Sequence, residues 1–212
     1  MMYIRYPLSL RQVEDLLFER GIDICHETVR FWWNRFGPMF PAEIRKRRIC
    51  HRLYSTWRWH LDEVFVRING ETHYLWRAVD HEGEVLEVYA TKRRDRKAML
   101  RFLKRAMKRY GHPRSIGTDR LRSYGAAMKT IGVLDLQECG RRLNNRAENS
   151  HQPFRRREGV IAKSRDVKTL QKIASVHASI HNHFNADRHL NRRDIFKQRR
   201  SVAIAEWCQL AA

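Results

Sequence analysis

Three acidic residues lie in strongly basic parts of this sequence: Asp62 in "HLDE", Asp119 in "GTDRL" and Glu148 in "NRAENSH". Between Lys92 and Arg122 there are thirteen Lys or Arg residues but only two acids. Hard divalent cations such as Mg²⁺ bind a few carboxylates and complete their shells with water and phosphate. Two such ions can activate an attacking oxygen and stabilise a leaving one during in-line displacement at phosphorus. If the three acids meet, the chemistry they predict is metal-dependent phosphoryl transfer on DNA.

Each acid also has an ordinary explanation when it is considered alone. Asp62 fits a solvated strand terminus, and Asp119 fits the start of a turn. Glu148 would complement a helix dipole from the first turn, an effect of only about 0.3–1 kcal/mol. The metal site is therefore favoured by the three positions together and by none of them separately.

The bulk composition points to nucleic acid as the partner. The chain of 212 residues has 43 Lys+Arg against 23 Asp+Glu, a formal net charge of +20, and 42% hydrophobic residues. Basic side chains displace the counterions condensed on phosphates, so a folded protein with this charge is expected to bind nucleic acid, with a membrane surface as the competing partner. No apolar run approaches the roughly 18 residues of a membrane-spanning helix. Four scattered cysteines without a CxxC pair predict free thiols in a reducing cytoplasm.

The elements that position the acids change from helical to extended near residue 60. Period-two alternation places Asp62 on the face of Val64 and Val66, with Glu63 on the opposite face. Asn69-Gly70 predicts a hairpin turn into a second, interior strand. The patterns predict strands at 61–70, 72–80, 84–91 and 114–119, a weaker strand at 134–139, helices at 95–110 and 124–131, and helices thereafter. This order matches a ribonuclease H-like (RNase H-like) mixed sheet with flanking helices, a fold analogy that establishes no chemistry.

The first 38 residues have the pattern of a helix-turn-helix. Ser9 and Gln12 have capping-box spacing, Gly21 ends the first helix, and a second helix is predicted at about 25–36. The second helix of such a pair can enter a major groove. An ordinary helical hairpin is the alternative. The residues expected to face inward on it are Val29, Trp32, Trp33 and Phe36. The candidate readers of DNA are His26, Glu27, Thr28, Arg30 and Asn34.

These patterns divide the chain into four predicted parts. They are an all-α helix-turn-helix domain at 1–38, a basic connector at 39–59, a catalytic domain at 60–185 and a helical tail at 186–212. Further DNA contacts are expected from four arginines around Glu148: Arg146, Arg155, Arg156 and Arg157.

The segments "WRWHLDEVFVRING", "YLWRAVD", "TDRLRSYGAAM" and "LNNRAENSHQPFRRRE" closely resemble the DDE transposases of bacterial insertion sequences, specifically the IS-six group. The resemblance implies an RNase H-like domain that binds two Mg²⁺ (or Mn²⁺) ions through Asp62, Asp119 and Glu148. It implies cleavage at transposon ends and joining of the 3′-OH strand to target DNA, so the expected partner is double-stranded DNA, both the terminal inverted repeats and the target. It also implies a homo-oligomer, at least a dimer, in the prokaryotic cytoplasm and associated with the nucleoid.

The sequence departs from the family in the spacing of its second and third acids. Only 28 residues separate Asp119 from Glu148, fewer than in many relatives, which leaves Glu158 as a fallback third acid. Two other functions stay open on the sequence: a non-catalytic DNA-binding repressor or decayed copy, and a structure-selective nuclease of the same fold. An HNH nuclease at His181–His183 is disfavoured, because that motif needs a hairpin and the segment has helical periodicity.

Overall fold

The structure is a computed structural model that describes residues 2–51, 58–119, 121–140, 145–161, 166–184 and 192–211. Within these ranges, the side chains of 45, 47–51, 145, 146, 148, 157–161, 210 and 211 lie outside the description. The strands are β1 (Arg58–Ile68), β2 (Glu71–Asp80), β3 (Val85–Thr91), β4 (Ser115–Thr118) and β5 (Gln137–Cys139). The helices are α1 (Met2–Arg5), α2 (Leu10–Phe18), α3 (His26–Phe36), α4 (Met39–His51), α5 (Arg96–Tyr110), α6 (Arg122–Ile131), α7 (Asn145–Ile161), α8 (Val167–Phe184) and α9 (Arg193–Ala211).

The strands form one mixed sheet in the order β3-β2-β1-β4-β5. The pairs β1–β2 and β2–β3 are antiparallel, whereas β1–β4 and β4–β5 are parallel. The β1–β2 hairpin turns through Asn69 and Gly70, whose φ angles of 51° and 82° are both positive, as a two-residue type I′ turn requires. This order of strands confirms the predicted RNase H-like arrangement.

Helices cover both faces of the sheet, so it lies at the centre of three layers. On one face, Trp59 and Leu61 of β1 pack with α5 and α6 in a cluster that includes Phe102 and Tyr124. On the other face, Val64 and Val66 pack with α7 and α8. The alternation along β1 therefore sends Asp62 toward α7 and Glu63 toward α6, as the period-two pattern predicts.

The outer edge of β3 is closed by two side-chain amides of α8. Gln171 accepts a hydrogen bond from the Ala90 N–H (2.8 Å) and donates one to the Val88 carbonyl (2.8 Å). Asn182 makes the same pair of bonds with Val85, at 3.0 and 2.8 Å. These amides bond four backbone groups of β3, so those four groups are not available to pair with another strand.

The N-terminal helices form the predicted pair, and local chemistry explains where they begin. Ser9 and Gln12 make the reciprocal capping box at the start of α2, with bonds of 3.1 and 2.8 Å. Cys25 provides no side-chain cap for α3. The carboxylate of Glu14, on α2, accepts a bond from the His26 N–H instead (3.0 Å), so the two helices are joined at that end.

Two residues of α3 differ from their predicted burial. Val29 is buried, but Trp32 and Phe36 remain 45% and 38% exposed. Together with Trp33 they line an open apolar cavity of about 580 Å³ between the N-terminal helices, α8 and α9. The helical spacing of these aromatics is correct, but the short helices α1 and α2 do not provide enough surface to cover them.

The four predicted parts of the chain are packed together through α8. Ile4 of α1, Ile44 of α4 and Trp207 of α9 form one cluster with Val176 and Ile180. The predicted connector is largely helical, since α4 spans the "RKRR" segment, while 52–57 lie outside the described residues. The domain boundaries stay predictions. Among the described residues, no helix combines the length and the apolar character needed to cross a membrane.

Candidate active site

Two of the three predicted acids meet beside the C-terminal end of β4. Asp119 directly follows that strand, whereas Asp62 lies inside β1, four residues after its start at Arg58, and not at a strand terminus. In the parallel pairing of β1 with β4, His60 is opposite Gly117, so the next residues of each strand bring Asp62 level with Asp119. Carboxylate oxygens of Asp62, Glu63 and Asp119 all lie within 4.8 Å of one another. The parallel pairing of β1 with β4 therefore brings together two side chains that are 57 positions apart in the sequence.

The chemistry of this cluster fits a divalent cation. Its donors are carboxylate oxygens, which hard cations such as Mg²⁺ and Mn²⁺ prefer. The Asp62 side chain is 15% exposed and that of Asp119 is 39% exposed, so the cluster opens to solvent on the Asp119 side. Solvent reaches this side of the cluster, where water and phosphate oxygens would complete the shell of such an ion.

Glu63, a member of this cluster that sequence reasoning missed, is held firmly by its neighbours. Its side chain is only 2% exposed. One carboxylate oxygen accepts a hydrogen bond from the buried Tyr124 hydroxyl (2.7 Å), and the other is paired with the Arg94 guanidinium. Burial raises the pKa of Glu63, against the opposing effects of Tyr124 and Arg94. Burial and the Glu63 charge raise the pKa of Tyr124 well above its ordinary value.

Arg94 links two of the three acids. The same guanidinium nitrogen that pairs with Glu63 lies 3.9 Å from Asp119 Oδ2. The guanidinium also lies over the Phe65 ring, with its central carbon 5.3 Å from the ring centroid. A positive charge therefore lies directly beside the acidic cluster.

Asp62 has two basic neighbours on its own face of the sheet. Arg77 is directly opposite it in the β1–β2 ladder and is 2% exposed. Burial lowers the pKa of Arg77 to about 10, although the Asp62 charge acts in the opposite direction. The Arg77 guanidinium carbon lies 5.9 Å from the centroid of the Phe154 ring, on α7.

His151 of α7 is the second neighbour. Its Nδ1 lies 3.4 Å from Asp62 Oδ2. Burial, with the charges of Arg77 and Arg155, lowers the pKa of His151 to about 3. The imidazole is therefore neutral at pH 7, and its contact with Asp62 is not an ion pair. Sequence reasoning missed His151 and Arg77. The available signal was an arginine inside an otherwise apolar strand.

The side chains of Glu148 and of its fallback Glu158 lie outside the described residues, as do those of Arg146 and Arg157. The backbone of α7 at Glu148 is described. The preceding residue, Ala147, is buried against the sheet, and His151, three residues later, contacts Asp62. Positions three apart lie on the same side of a helix, so position 148 of the α7 backbone is on the same side as position 151.

The candidate DNA readers on α3 have partners within the chain. His26 Nδ1 lies 2.9 Å from Glu14 Oε2, and Arg30 Nη1 lies 2.8 Å from Glu27 Oε1. Thr28 is half-buried, with its hydroxyl 3.4 Å from the Cys25 sulfur. These contacts orient the first turn of α3.

Asn34, Arg155 and Arg156 are exposed. Asn34 Oδ1 accepts a hydrogen bond from Lys172 Nζ of α8 (3.1 Å), which ties the end of α3 to the catalytic half of the chain. Arg155 and Arg156 lie on α7, one turn beyond His151. Contact with DNA by these residues stays a prediction.

Comparison with known proteins identifies relatives over most of the chain. Residues 56–187 match the family described as a DDE domain, of the IS240 transposase type. The transposase for insertion sequence-like element IS431mec of Staphylococcus aureus is 33% identical over 182 residues, which are 83% of this chain and 80% of the relative. The transposase for insertion sequence element IS257 in transposon Tn4003, also from S. aureus, is 32% identical over the same shares.

Solved structures with a partial likeness are retroviral integrase cores. The HTLV-2 integrase catalytic core domain in complex with magnesium, in its trimeric form, has 14% identity and a TM-score of 0.48, covering 65% of this chain and 93% of that one. The catalytic core domain of BIV integrase has 14% identity and a TM-score of 0.43, covering 59% and 84%. Membership rests on the sequence relatives: the chain belongs to the DDE transposases of bacterial insertion sequences, in the IS-six group.

Proposed function

We propose that this DDE transposase cleaves the ends of an insertion sequence and joins the 3′-OH strand to target DNA. Membership of the family makes the chain a DNA transposase and a metal-dependent polynucleotidyl transferase. The observation that carries the finer proposal is that carboxylate oxygens of Asp62, inside β1, and Asp119, directly after β4, lie within 4.8 Å of each other. We propose Asp62, Asp119 and Glu148 as the metal ligands and catalytic acids.

The ions proposed for this site are two Mg²⁺ or Mn²⁺, which when bound would activate the attacking oxygen and stabilise the leaving one. The chain's own residues supply positions and charge. Arg77, buried opposite Asp62, places a positive charge beside that carboxylate and offsets part of the negative charge of the cluster. Neutral His151 contacts Asp62 Oδ2 and restricts its orientation. Asp119, the more exposed acid, lies on the side from which a phosphate can approach.

DNA would be held by two separate surfaces. On α3, the proposed readers of the terminal repeats are His26, Thr28, Arg30 and Asn34. On α7, the proposed phosphate contacts are Arg146, Arg155, Arg156 and Arg157. Because two transposon ends must be joined in one event, we propose a homo-oligomer of at least two chains. We also propose that it acts in the prokaryotic cytoplasm, associated with the nucleoid where its DNA substrate lies.

The test is a joining assay with the purified protein, terminal-repeat duplex, plasmid and Mg²⁺. Wild-type protein is expected to give joined products. Asp62→Asn removes one carboxylate charge without changing its size, so we expect it to bind the duplex with unchanged affinity and to give no joined product. Asp135→Asn, an exposed acid in the turn before β5, is the matched control and should join normally.

Three results would contradict the proposal in different ways. Undiminished joining by Asp62→Asn would remove Asp62 from the mechanism. A shifted duplex without strand breaks from wild-type protein would indicate a DNA-binding repressor, and nicks without joints would indicate a nuclease. Short inverted repeats that flank the reading frame, bounded by a duplicated target, would support the transposase independently of the assay.

A further inference from the structure

Among the described residues, the Arg94 guanidinium links Glu63 with Asp119 in the acidic cluster. One nitrogen of Arg94 pairs with Glu63 and lies 3.9 Å from Asp119 Oδ2. The Arg94 side chain is 30% exposed and lies over Phe65, so packing and pairing both hold it at the cluster. Arg94 differs in burial from the nearby arginines of the same segment: Arg93 and Arg96 are exposed, whereas Arg94 is partly buried.

Glu63 is the anchor of this arrangement. Both of its carboxylate oxygens already have partners, Tyr124 and Arg94, and the side chain is 2% exposed. Its contact with Arg94 is also closer than the one Arg94 makes with Asp119. Glu63 therefore serves to hold the guanidinium in place. Asp119 is held less tightly: it is 39% exposed, its Oδ1 accepts a hydrogen bond from the Leu121 N–H (3.0 Å), and its Oδ2 lies 3.9 Å from Arg94.

We propose that Arg94 is an internal counter-ion that a divalent cation must displace from Asp119. Without metal, the guanidinium offsets the mutual repulsion of three clustered carboxylates. With metal, a cation on Asp119 would lie within a few ångströms of a like charge, so the two compete. Arg94 is thus a positioning residue that weakens metal binding and keeps Asp119 in place until the ion arrives. This inference rests on the proposed metal site at Asp62 and Asp119.

The competition predicts that neutral substitutions at Arg94 strengthen metal binding. The measurement is titration of the purified full chain with Mn²⁺, following free Mn²⁺ by electron paramagnetic resonance. Arg94→Gln is expected to bind Mn²⁺ about tenfold more tightly than wild type, within the range of couplings between interacting sites. Arg94→Met, which keeps an apolar contact with Phe65, should behave alike. Arg94→Lys keeps the charge and should stay closer to wild type than either.

Arg93→Gln is the matched control, because it removes the same charge from the adjacent, exposed position. It should leave the Mn²⁺ affinity within about twofold, since exposed charges at a distance are screened. A thermal melt adds a second readout. Arg94→Gln should melt below wild type without metal, and Mn²⁺ should raise its midpoint more than it raises that of wild type.

The outcomes separate the inference from the function on which it rests. If Asp119→Asn binds Mn²⁺ as well as wild type does, the proposed metal site itself is wrong. If wild type binds through Asp119 but the folded neutral variants bind no more tightly, the counter-ion role of Arg94 is overturned and the metal site stands. An equal increase in Arg93→Gln or in Arg94→Lys would also overturn it, because the effect would then not depend on the charge at this position.

Discussion

At the scale of single residues, the acidic cluster is defined by which charges face each other. Arg77 is a buried guanidinium in an apolar strand, an arrangement that costs several kcal/mol unless the charge is compensated. Asp62 directly opposite supplies the compensation, and the Phe154 ring covers the cation. The attraction between the two charges offsets the cost of burying them, which explains why an arginine is found at this position of β2.

The third acid is tested by comparing two glutamates on one helix. We expect Glu148→Gln to lower the rate of joining by roughly a thousandfold, as loss of a group acting directly on the transition state does. Glu158→Gln, about three turns further along α7, should join at the wild-type rate. Both rates are measured in the terminal-repeat assay at saturating Mg²⁺, with duplex affinity as the check on folding. If only Glu158→Gln loses joining, Glu158 is the third acid.

At the scale of elements, α8 stabilises the sheet in two ways. Its apolar face covers β3, and its amides close the β3 edge. Closing an edge in this way removes a site at which two chains could pair strand to strand. The helix that stabilises the sheet therefore also protects it from aggregation, which matters for a protein that is expected to assemble with its own copies.

Gln171 gives a measurable test of this edge. We expect Gln171→Ala to lower the free energy of unfolding by about 2 kcal/mol, because two hydrogen bonds to the β3 backbone are lost at about 1 kcal/mol each. Gln171→Glu keeps an acceptor for the Ala90 N–H but cannot donate to Val88, so it is also expected to be less stable than wild type. Urea unfolding at pH 7 measures these values.

Lys168→Ala is the control for this prediction, since Lys168 is exposed on the same helix. It should change the free energy of unfolding by less than about 0.5 kcal/mol. Equal free energies of unfolding for Gln171→Ala and wild type would mean that the Gln171 amide does not stabilise the β3 edge.

At the scale of the whole molecule, net charge governs the attraction of DNA, whereas packing governs how the helices of the chain are held together. The net charge of +20 attracts DNA at long range without specifying a sequence. Packing joins the N-terminal helices, α4 and α9 on α8, and the hydrogen bond from Lys172 to Asn34 continues this contact to α3. The helix proposed to read DNA is therefore held against the half of the chain that carries the acidic cluster.

The charge argument predicts which face of the sheet meets DNA. We expect Arg155→Ala to weaken binding to duplex DNA and to lower the slope of log affinity against log salt by about one unit, the effect of losing one phosphate contact. Lys129→Ala removes one positive charge from α6, on the opposite face of the sheet, and should leave the slope unchanged. Fluorescence anisotropy over a salt series measures both. Equal slopes in the two variants would place the DNA elsewhere.

The sequence by itself determined the elements of this protein. Period-two alternation, the Asn69-Gly70 turn, the Ser9 capping box and the apolar stripe of α5 are local patterns whose physical causes act within a few residues, and each appears in the structure as predicted. The family followed from motifs in the same way. These features are readable because neighbouring residues alone decide them.

Tertiary structure alone decided which side chains meet. Asp62 and Asp119 converge because β1 and β4 pair in one register, and no local pattern encodes a register between distant segments. The roles of Glu63, Arg94 and His151 depend on the docking of α6, the loop before α5 and α7 on the sheet. The partial exposure of Trp32 and Phe36 likewise reflects how much surface the neighbouring helices provide. The family motifs had already grouped Asp62 with Asp119, but the contacts of Glu63, Arg94 and His151 depend on the whole packing and were read only from the fold.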